Sequence, residues 1–149
     1  MKLDKNDMNI MKMLEKNSKL RIYDIAKKLK LPASTVHNRI KRLDENKIIR
    51  KWTIIPDWEK IDKGVKTYIL VYVNTGELKE MKKTQKDLGK ELLKMENVFR
   101  ADVITGEADL LIEIRTKNIQ DLEKMLLEKI QGVKGIVKTK TILCLKEIE

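Results

Sequence analysis

The spacing of apolar residues changes once along this chain, in the stretch between residues 56 and 66, and that change requires two differently built halves. Ahead of it, apolar side chains recur every three to four residues in three short stretches. Behind it, β-branched and aromatic runs of alternating polarity take turns with helical stripes. A period of about 3.6 and a period of 2 belong to different elements, so the first half reads as helices packed on helices and the second as helices packed on a sheet. With 149 residues and 42% hydrophobic side chains, each half can bury a core of its own.

In the first helix Asp4 is a candidate N-cap. Leu3 and Met8 fit a hydrophobic staple, and Ile10, Met11 and Leu14 carry the stripe to an end near Asn17-Ser18. The second helix is short, with Ile22, Ile25, Ala26 and Leu29 at i, i+3, i+4 and i+7. A tight turn leads into a third helix from Pro32 through Leu43, where Ala33, Val36, Ile40 and Leu43 share one face. Helical projection turns Ser34, Asn38, Lys41 and Arg42 to the opposite face. That outward face is small, polar and basic, as a surface that reads base edges in a major groove must be. The helix runs to about Glu45 or Asn46. Ile48 to Ile55 then reads as a strand ended by Pro56, and Asp57 to Lys66 as a connector.

The second half reads strand (Thr67 to Asn74), helix (Leu78 to Met95), strand (Val98 to Ile104), strand (Leu110 to Thr116), helix (Ile119 to Ile130) and strand (Val137 to Lys146). This βαββαβ order is the ferredoxin-like plan. Each helix keeps one apolar side for one sheet: Leu78, Met81, Leu88, Leu92 and Met95 on the first, Ile119, Leu122, Met125, Leu126 and Ile130 on the second. The two βαβ halves echo each other, since a helix leads through Asn97-Val98 in one and Gly135-Ile136 in the other into a strand. The fold class is therefore α+β: a winged-type helix-turn-helix of three helices at residues 1–50, a strand and linker at 51–65, and the ferredoxin-like domain at 66–149.

Charge separates the halves as well. Residues 1–58 carry 15 Lys and Arg against 7 Asp and Glu, whereas residues 59–149 carry 18 against 16, so most of the net charge of +10 sits with the helix-turn-helix. Lys-rich surfaces also serve solubility, but a basic excess beside a groove-reading helix points to nucleic acid. No apolar run is long enough to span a membrane and the start has no signal-peptide pattern, so a cytoplasmic protein is expected. Cys144 is the only cysteine, which excludes an intrachain disulfide and a cysteine-based zinc site, and a buried structural thiol is expected there. No cofactor is expected.

Along nearly its whole length the chain resembles the Lrp/AsnC, or feast/famine, regulators. The matching stretches are Leu3-Asp4-Lys5-Asn6-Asp7 with Ile10 and Leu14, Asp24-Ile25-Ala26, and Ser34-Thr35-Val36 with Arg39-Ile40 and Leu43. In the second half they are Thr105-Gly106-Glu107-Ala108-Asp109-Leu110-Leu111 and Thr139-Lys140-Thr141. The resemblance implies a DNA-binding helix-turn-helix joined by a strand to a ligand-sensing, oligomerising domain, with dimers often assembling into octamers. It also implies an amino-acid effector at the Thr105 to Asp109 hairpin, with backbone groups near Gly106 taking polar ends of the ligand. Three positions depart from the family pattern: Arg21 and Pro32 replace the usual Ser or Thr caps of helices two and three, and Lys47 replaces a glycine. Pro is compatible with a first helical turn, because its missing N–H had no partner. Lys47 either takes a left-handed conformation or lets the helix run on.

The DNA-binding candidates are Arg21, Ser34, Thr35, His37, Asn38, Arg39, Lys41 and Arg42. Lys41, Arg42 and Arg21 suit phosphates, Asn38 suits adenine, and Ser34, Thr35 and His37 suit base edges or backbone. For Arg39, projected between core and outer face, an intradomain salt bridge and a DNA contact both stand open. The effector candidates are Thr105, Gly106, Glu107, Ala108 and Asp109, where a plain tight turn is the alternative. One small helix-turn-helix reads too few base pairs, so a homodimer or octamer on double-stranded DNA is expected, with the strand at Ile48 to Ile55 and the open sheet face as places for self-association. The enzyme alternative is a haem-pathway (sirohaem) decarboxylase of the same two-domain plan. Those enzymes are associated with histidines in the C-terminal half, and the one histidine here, His37, lies on the third helix. An RNA-binding or structural role would call for exposed aromatics or a basic sheet, and aromatic content is 4%.

Overall fold

A computed structural model of the chain describes residues 2–148. It divides into two units, Met1–Pro56 and Asp57–Glu149. The first holds α1 (Lys5–Lys16), α2 (Ile22–Leu29) and α3 (Ala33–Glu45) around Ile10, Leu14, Ile25, Ala26, Val36 and Leu43. Asp4 caps α1 in a reciprocal capping box with Asp7. As the sequence implies, Arg21 and Pro32 make no side-chain cap at α2 and α3. Lys30, at φ 53°, ends α2, and the Leu31 N–H then donates to the Ala26 carbonyl, which closes the turn into α3. Lys47 takes the left-handed option at φ 57°, and the Ile48 and Ile49 N–H groups fold back onto the Leu43 carbonyl.

The strand expected at Ile48 to Ile55 is not formed. Arg50 to Pro56 has no regular pairing among the described residues, although Trp52, Ile54 and Ile55 have strand propensity and are exposed. Strand propensity measures fit to a paired, half-buried surface, and no other segment of this unit supplies one. The segment instead walls an open groove of about 930 Å³ against Met8, Met11, Lys12 and Glu15 of α1.

The second unit has the expected sheet, antiparallel in the order β2-β3-β1-β4, from β1 (Val65–Val73), β2 (Val98–Val103), β3 (Leu110–Thr116) and β4 (Ile136–Leu143). Its core joins Ile69, Val71, Leu110, Ile112 and Ile114 of the sheet to Leu78, Leu88, Leu92, Leu122, Met125 and Ile130 of the helices. Three details differ from the sequence reading. The helix expected over Leu78 to Met95 is two: α4 (Thr75–Glu80) closes at Lys82, φ 53°, and Thr84 restarts α5 (Gln85–Leu92) with a capping box to Asp87. Beyond α6 (Ile119–Lys124) the chain widens into a π turn, Met125–Ile130, with both Met125 and Ile130 buried. The last strand stops at Leu143 rather than Lys146: its ladder with β1 ends at the Thr67–Leu143 pair, and only the Cys144 N–H, donating to the Lys66 carbonyl, follows it. Cys144 is half-buried, not buried.

Two further features belong to this unit. The Asp57 to Lys66 connector is folded, with a 3-10 turn at Glu59–Ile61 and Trp58 set edge-on against Phe99 at 4.7 Å. The echo between halves holds in the backbone: Asn97 (φ 73°) and Gly135 (φ 96°) both take positive φ immediately before a strand.

Candidate nucleic-acid interface and effector loop

Helix α3 carries its core side inward as its period requires. Val36 and Leu43 are fully buried, and Ala33 and Ile40 pack against the same cluster. Ser34, His37, Asn38 and Lys41 are exposed, and Thr35 is half-buried. Ser34, His37 and Asn38 make no side-chain hydrogen bond to another described residue, so their donors and acceptors face water. Lys41 lies 3.8 Å from Glu45, a surface pair of little weight.

The arginines are distributed differently. Arg39 makes an intradomain salt bridge: its Nη1 donates to Asp4 at 2.7 Å and to Asp7 at 2.8 Å. The Asp7 and Asp4 carboxylates raise its pKa, while the Asp7 N–H and Arg39 hold the Asp4 carboxyl below its usual range. Arg42 lies on the flank rather than wholly on the outward face, with its Nη2 also on Asp7. Arg21 is exposed and pairs with Asp24 at 2.9 Å, one turn along α2. Sequence reasoning passed over Tyr23, 77% exposed on α2. Its signal was present, as a large aromatic lying off the stripe of Ile22, Ile25, Ala26 and Leu29.

In the second unit the Thr105 to Asp109 loop joins β2 to β3, closed by the Ile104 N–H on the Asp109 carbonyl. Thr105, Gly106 and Glu107 are exposed, Ala108 is buried and Asp109 half-buried. Gly106 sits at φ 124° with nothing within 4 Å of where a Cβ would point, so the turn needs glycine and leaves open space beside it. Glu107 accepts from Lys140 and from the Tyr72 hydroxyl, each at 3.0 Å, and these neighbours hold its carboxyl below the usual range. Both Asp109 oxygens are occupied, by the Val73 N–H and the Gln85 side-chain amide.

The sheet face away from the helices carries Tyr68, Leu70 and Tyr72 beside Ile142, Lys140 and Lys138. Lys66 and Lys138 lie over the Tyr68 and Tyr72 rings, at 5.1 and 5.3 Å. Among the described residues, no group of three or more His, Cys, Asp or Glu is placed to hold a metal ion, and no helix is long and apolar enough to cross a membrane.

Residues 3–50 match the model of a winged helix-turn-helix DNA-binding family, and residues 68–149 that of the Lrp/AsnC ligand binding domain. An uncharacterized HTH-type transcriptional regulator of Pyrococcus furiosus is 33% identical over 141 residues, covering 95% of this chain and 91% of its own. The HTH-type transcriptional regulator FL11 of Pyrococcus abyssi is 34% identical over 144 residues, with 97% and 90% covered. The fold matches that of a Neisseria meningitidis transcriptional regulator solved in complex with L-Met, at a TM-score of 0.87, 22% identity, and coverage of 99% of this chain and 93% of that one. These relatives are regulators, which sets the decarboxylase alternative aside.

Proposed function

The chain belongs to the Lrp/AsnC family of DNA-binding transcriptional regulators, and from that premise we propose that α3 of two or more copies enters successive major grooves of double-stranded DNA. Asn38, with Ser34, Thr35 and His37, meets base edges; Lys41, Arg42 and Arg21 meet phosphates. The observation that carries this reading is the row of exposed, uncommitted polar groups Ser34, His37 and Asn38 on a helix whose other side is core. The setting this reading implies is the cytoplasm of a cell without a nucleus, where genomic DNA is within reach.

Two features support self-association. Trp52, Ile54 and Ile55 leave an apolar, strand-prone segment without a partner, and the open sheet face mixes tyrosines with Leu70 and Ile142. A second copy of the chain is the occupant of these surfaces, giving a dimer or octamer. An amino acid bound beside Thr105, Gly106, Glu107, Ala108 and Asp109 tunes that assembly, and L-Met is the first to test, because the Neisseria relative was solved with it. The open space beside Gly106 suits a ligand, with Asp109 holding the loop rather than the ligand.

Fluorescence anisotropy on duplexes selected from random sequence by the full-length protein tests the DNA reading. Asn38→Ala relaxes base preference, and Lys41→Ala weakens all duplexes alike and flattens the salt dependence. If neither variant changes binding, α3 is not the DNA-reading surface. Calorimetric titration with amino acids tests the effector.

A further inference from the structure

Asp7 is a carboxylate with no exposed surface, yet it belongs to the first turn of α1 and meets two arginines of α3. Its Oδ2 accepts the Asp4 N–H at 3.1 Å and its Oδ1 accepts Arg39 Nη1 at 2.8 Å. The Arg42 Nη2 reaches both oxygens, at 3.1 and 3.0 Å. A buried carboxylate needs a cation, and Arg39 already supplies one, gripped by Asp7 and by Asp4 together. Arg39 is shared between the two carboxylates, so Arg42 is the second cation that balances the pair, and it does so through Nη2 alone.

The two arginines differ in what they have left. Arg39 keeps 22% of its side chain exposed and faces two carboxylates. Arg42 keeps 47% exposed and faces one. Each guanidinium bonds through a single nitrogen, Nη1 on Arg39 and Nη2 on Arg42, so exposure and the number of facing carboxylates separate them. The Nε and Nη1 donors of Arg42 are the ones on the more exposed side chain. A guanidinium is a rigid planar fork, so fixing Nη2 orients the remaining donors and removes much of the freedom of a long side chain before DNA arrives.

We propose that Asp7 is a positioning residue for DNA binding: it holds Arg42 by Nη2 so that the free Nε–H and Nη1–H groups meet a backbone phosphate beside α3, while Arg39, neutralised by Asp4 and Asp7, makes no DNA contact. This rests on the reading that α3 enters the groove. It makes Arg39, which the sequence leaves open between a salt bridge and DNA, the structural arginine, and Arg42 the DNA-contacting one.

The test uses full-length protein and a duplex selected by it from random sequence, with anisotropy across a KCl series for Asp7→Asn, Arg42→Gln, Arg39→Gln and the Asp7→Asn/Arg42→Gln double variant. Asp7→Asn removes a negative charge near DNA, so a purely electrostatic effect would tighten binding and a purely structural one would leave it unchanged below the unfolding transition. The expected result is about three- to tenfold weaker binding, vanishing in the Arg42→Gln background. Arg42→Gln reduces the salt slope by about 0.9 per protomer, and Arg39→Gln leaves it unchanged. Tighter or unchanged binding by Asp7→Asn, or an independent, multiplying effect in the double variant, overturns the proposal. Should Asp7→Asn not fold, the two arginine variants decide, and equal salt slopes for both overturn it. Asn38→Ala and Lys41→Ala run alongside: if they too are silent the α3 reading itself fails, whereas if they act and Asp7→Asn does not weaken binding, only the role of Asp7 falls.

Discussion

The Asp109 carboxylate accepts the Val73 backbone N–H at 2.9 Å, which ties the start of β3 to the end of β1, 36 residues away in sequence. Its other oxygen takes the Gln85 side-chain amide at 2.8 Å, bringing the first turn of α5 to the same point. The last residue of the candidate effector loop is thus an anchor on which three elements converge.

Replacing Asp109 by Ala removes both bonds and leaves the Val73 N–H without its acceptor. The expected cost is about 1.5–3 kcal/mol, typical of hydrogen bonds to a charged group, read by urea unfolding. Hydrogen exchange at the Val73 amide should accelerate in the variant. Unaltered protection there would mean that the carboxylate does not hold the strand end.

Gly135 precedes β4 at φ 96°, and a Cβ there would lie 2.8 Å from Leu78 Cδ2. Strain and overlap act together, so Gly135→Ala should destabilise the protein by about 1–3 kcal/mol. Gly106→Ala meets positive φ but open space, and its cost should be the smaller of the two. Thermal unfolding of both variants orders them, and the reverse order would contradict this account.

Glu147 answers to acid. Its carboxylate sits on the Arg115 guanidinium, through two bonds at 2.7 and 3.1 Å, and on Lys66 at 2.6 Å; these cations lower its pKa to about 2. Arg115 is itself nearly buried, bonded to Glu113 and stacked 4.5 Å from the Trp58 ring. A depressed folded-state pKa contributes stability that is fully present above the unfolded value of about 4.3 and lost as pH falls toward the folded one. The stability gap between the parent protein and Glu147→Gln should therefore be constant above about pH 5 and close between about pH 4.5 and 2. Salt should narrow it, because the Glu147 side chain is 40% exposed. A gap that persists below pH 2 would rule out the ion pair as its source.

Ile54 is 76% exposed on the unpaired segment after α3. If that segment meets a second copy, Ile54→Asp should shift the assembly toward smaller species in sedimentation velocity, with little change in the stability of the isolated chain. An unchanged distribution of species would remove the segment from the interface.

The two-domain plan and the outward polar face of α3 were legible because both are written in short-range periodicity. Val36, Ile40 and Leu43 fall inward, and Ser34, His37 and Asn38 outward, on any helix of this sequence. The break between α4 and α5 was legible in principle, since Thr84 and Asp87 have the spacing of a capping box, but the apolar stripe from Leu78 to Leu92 runs through it and hides it. The segment after Lys47 shows the opposite failure. Its β-branched and aromatic residues announce a strand, and a strand needs a neighbour that composition does not supply.

The amino-acid sequence alone determined most element types, the inward faces and the cap at Asp4, because each depends on contacts spanning four residues or fewer. Only the tertiary structure decided what the charged residues do. Asp7 meets Arg39 and Arg42 from 32 and 35 positions away, Asp109 meets Val73 from 36, and Glu147 meets Lys66 from 81. Ion pairs and hydrogen bonds act over a few ångströms, and such proximity between distant residues arises only when the helices and strands have packed.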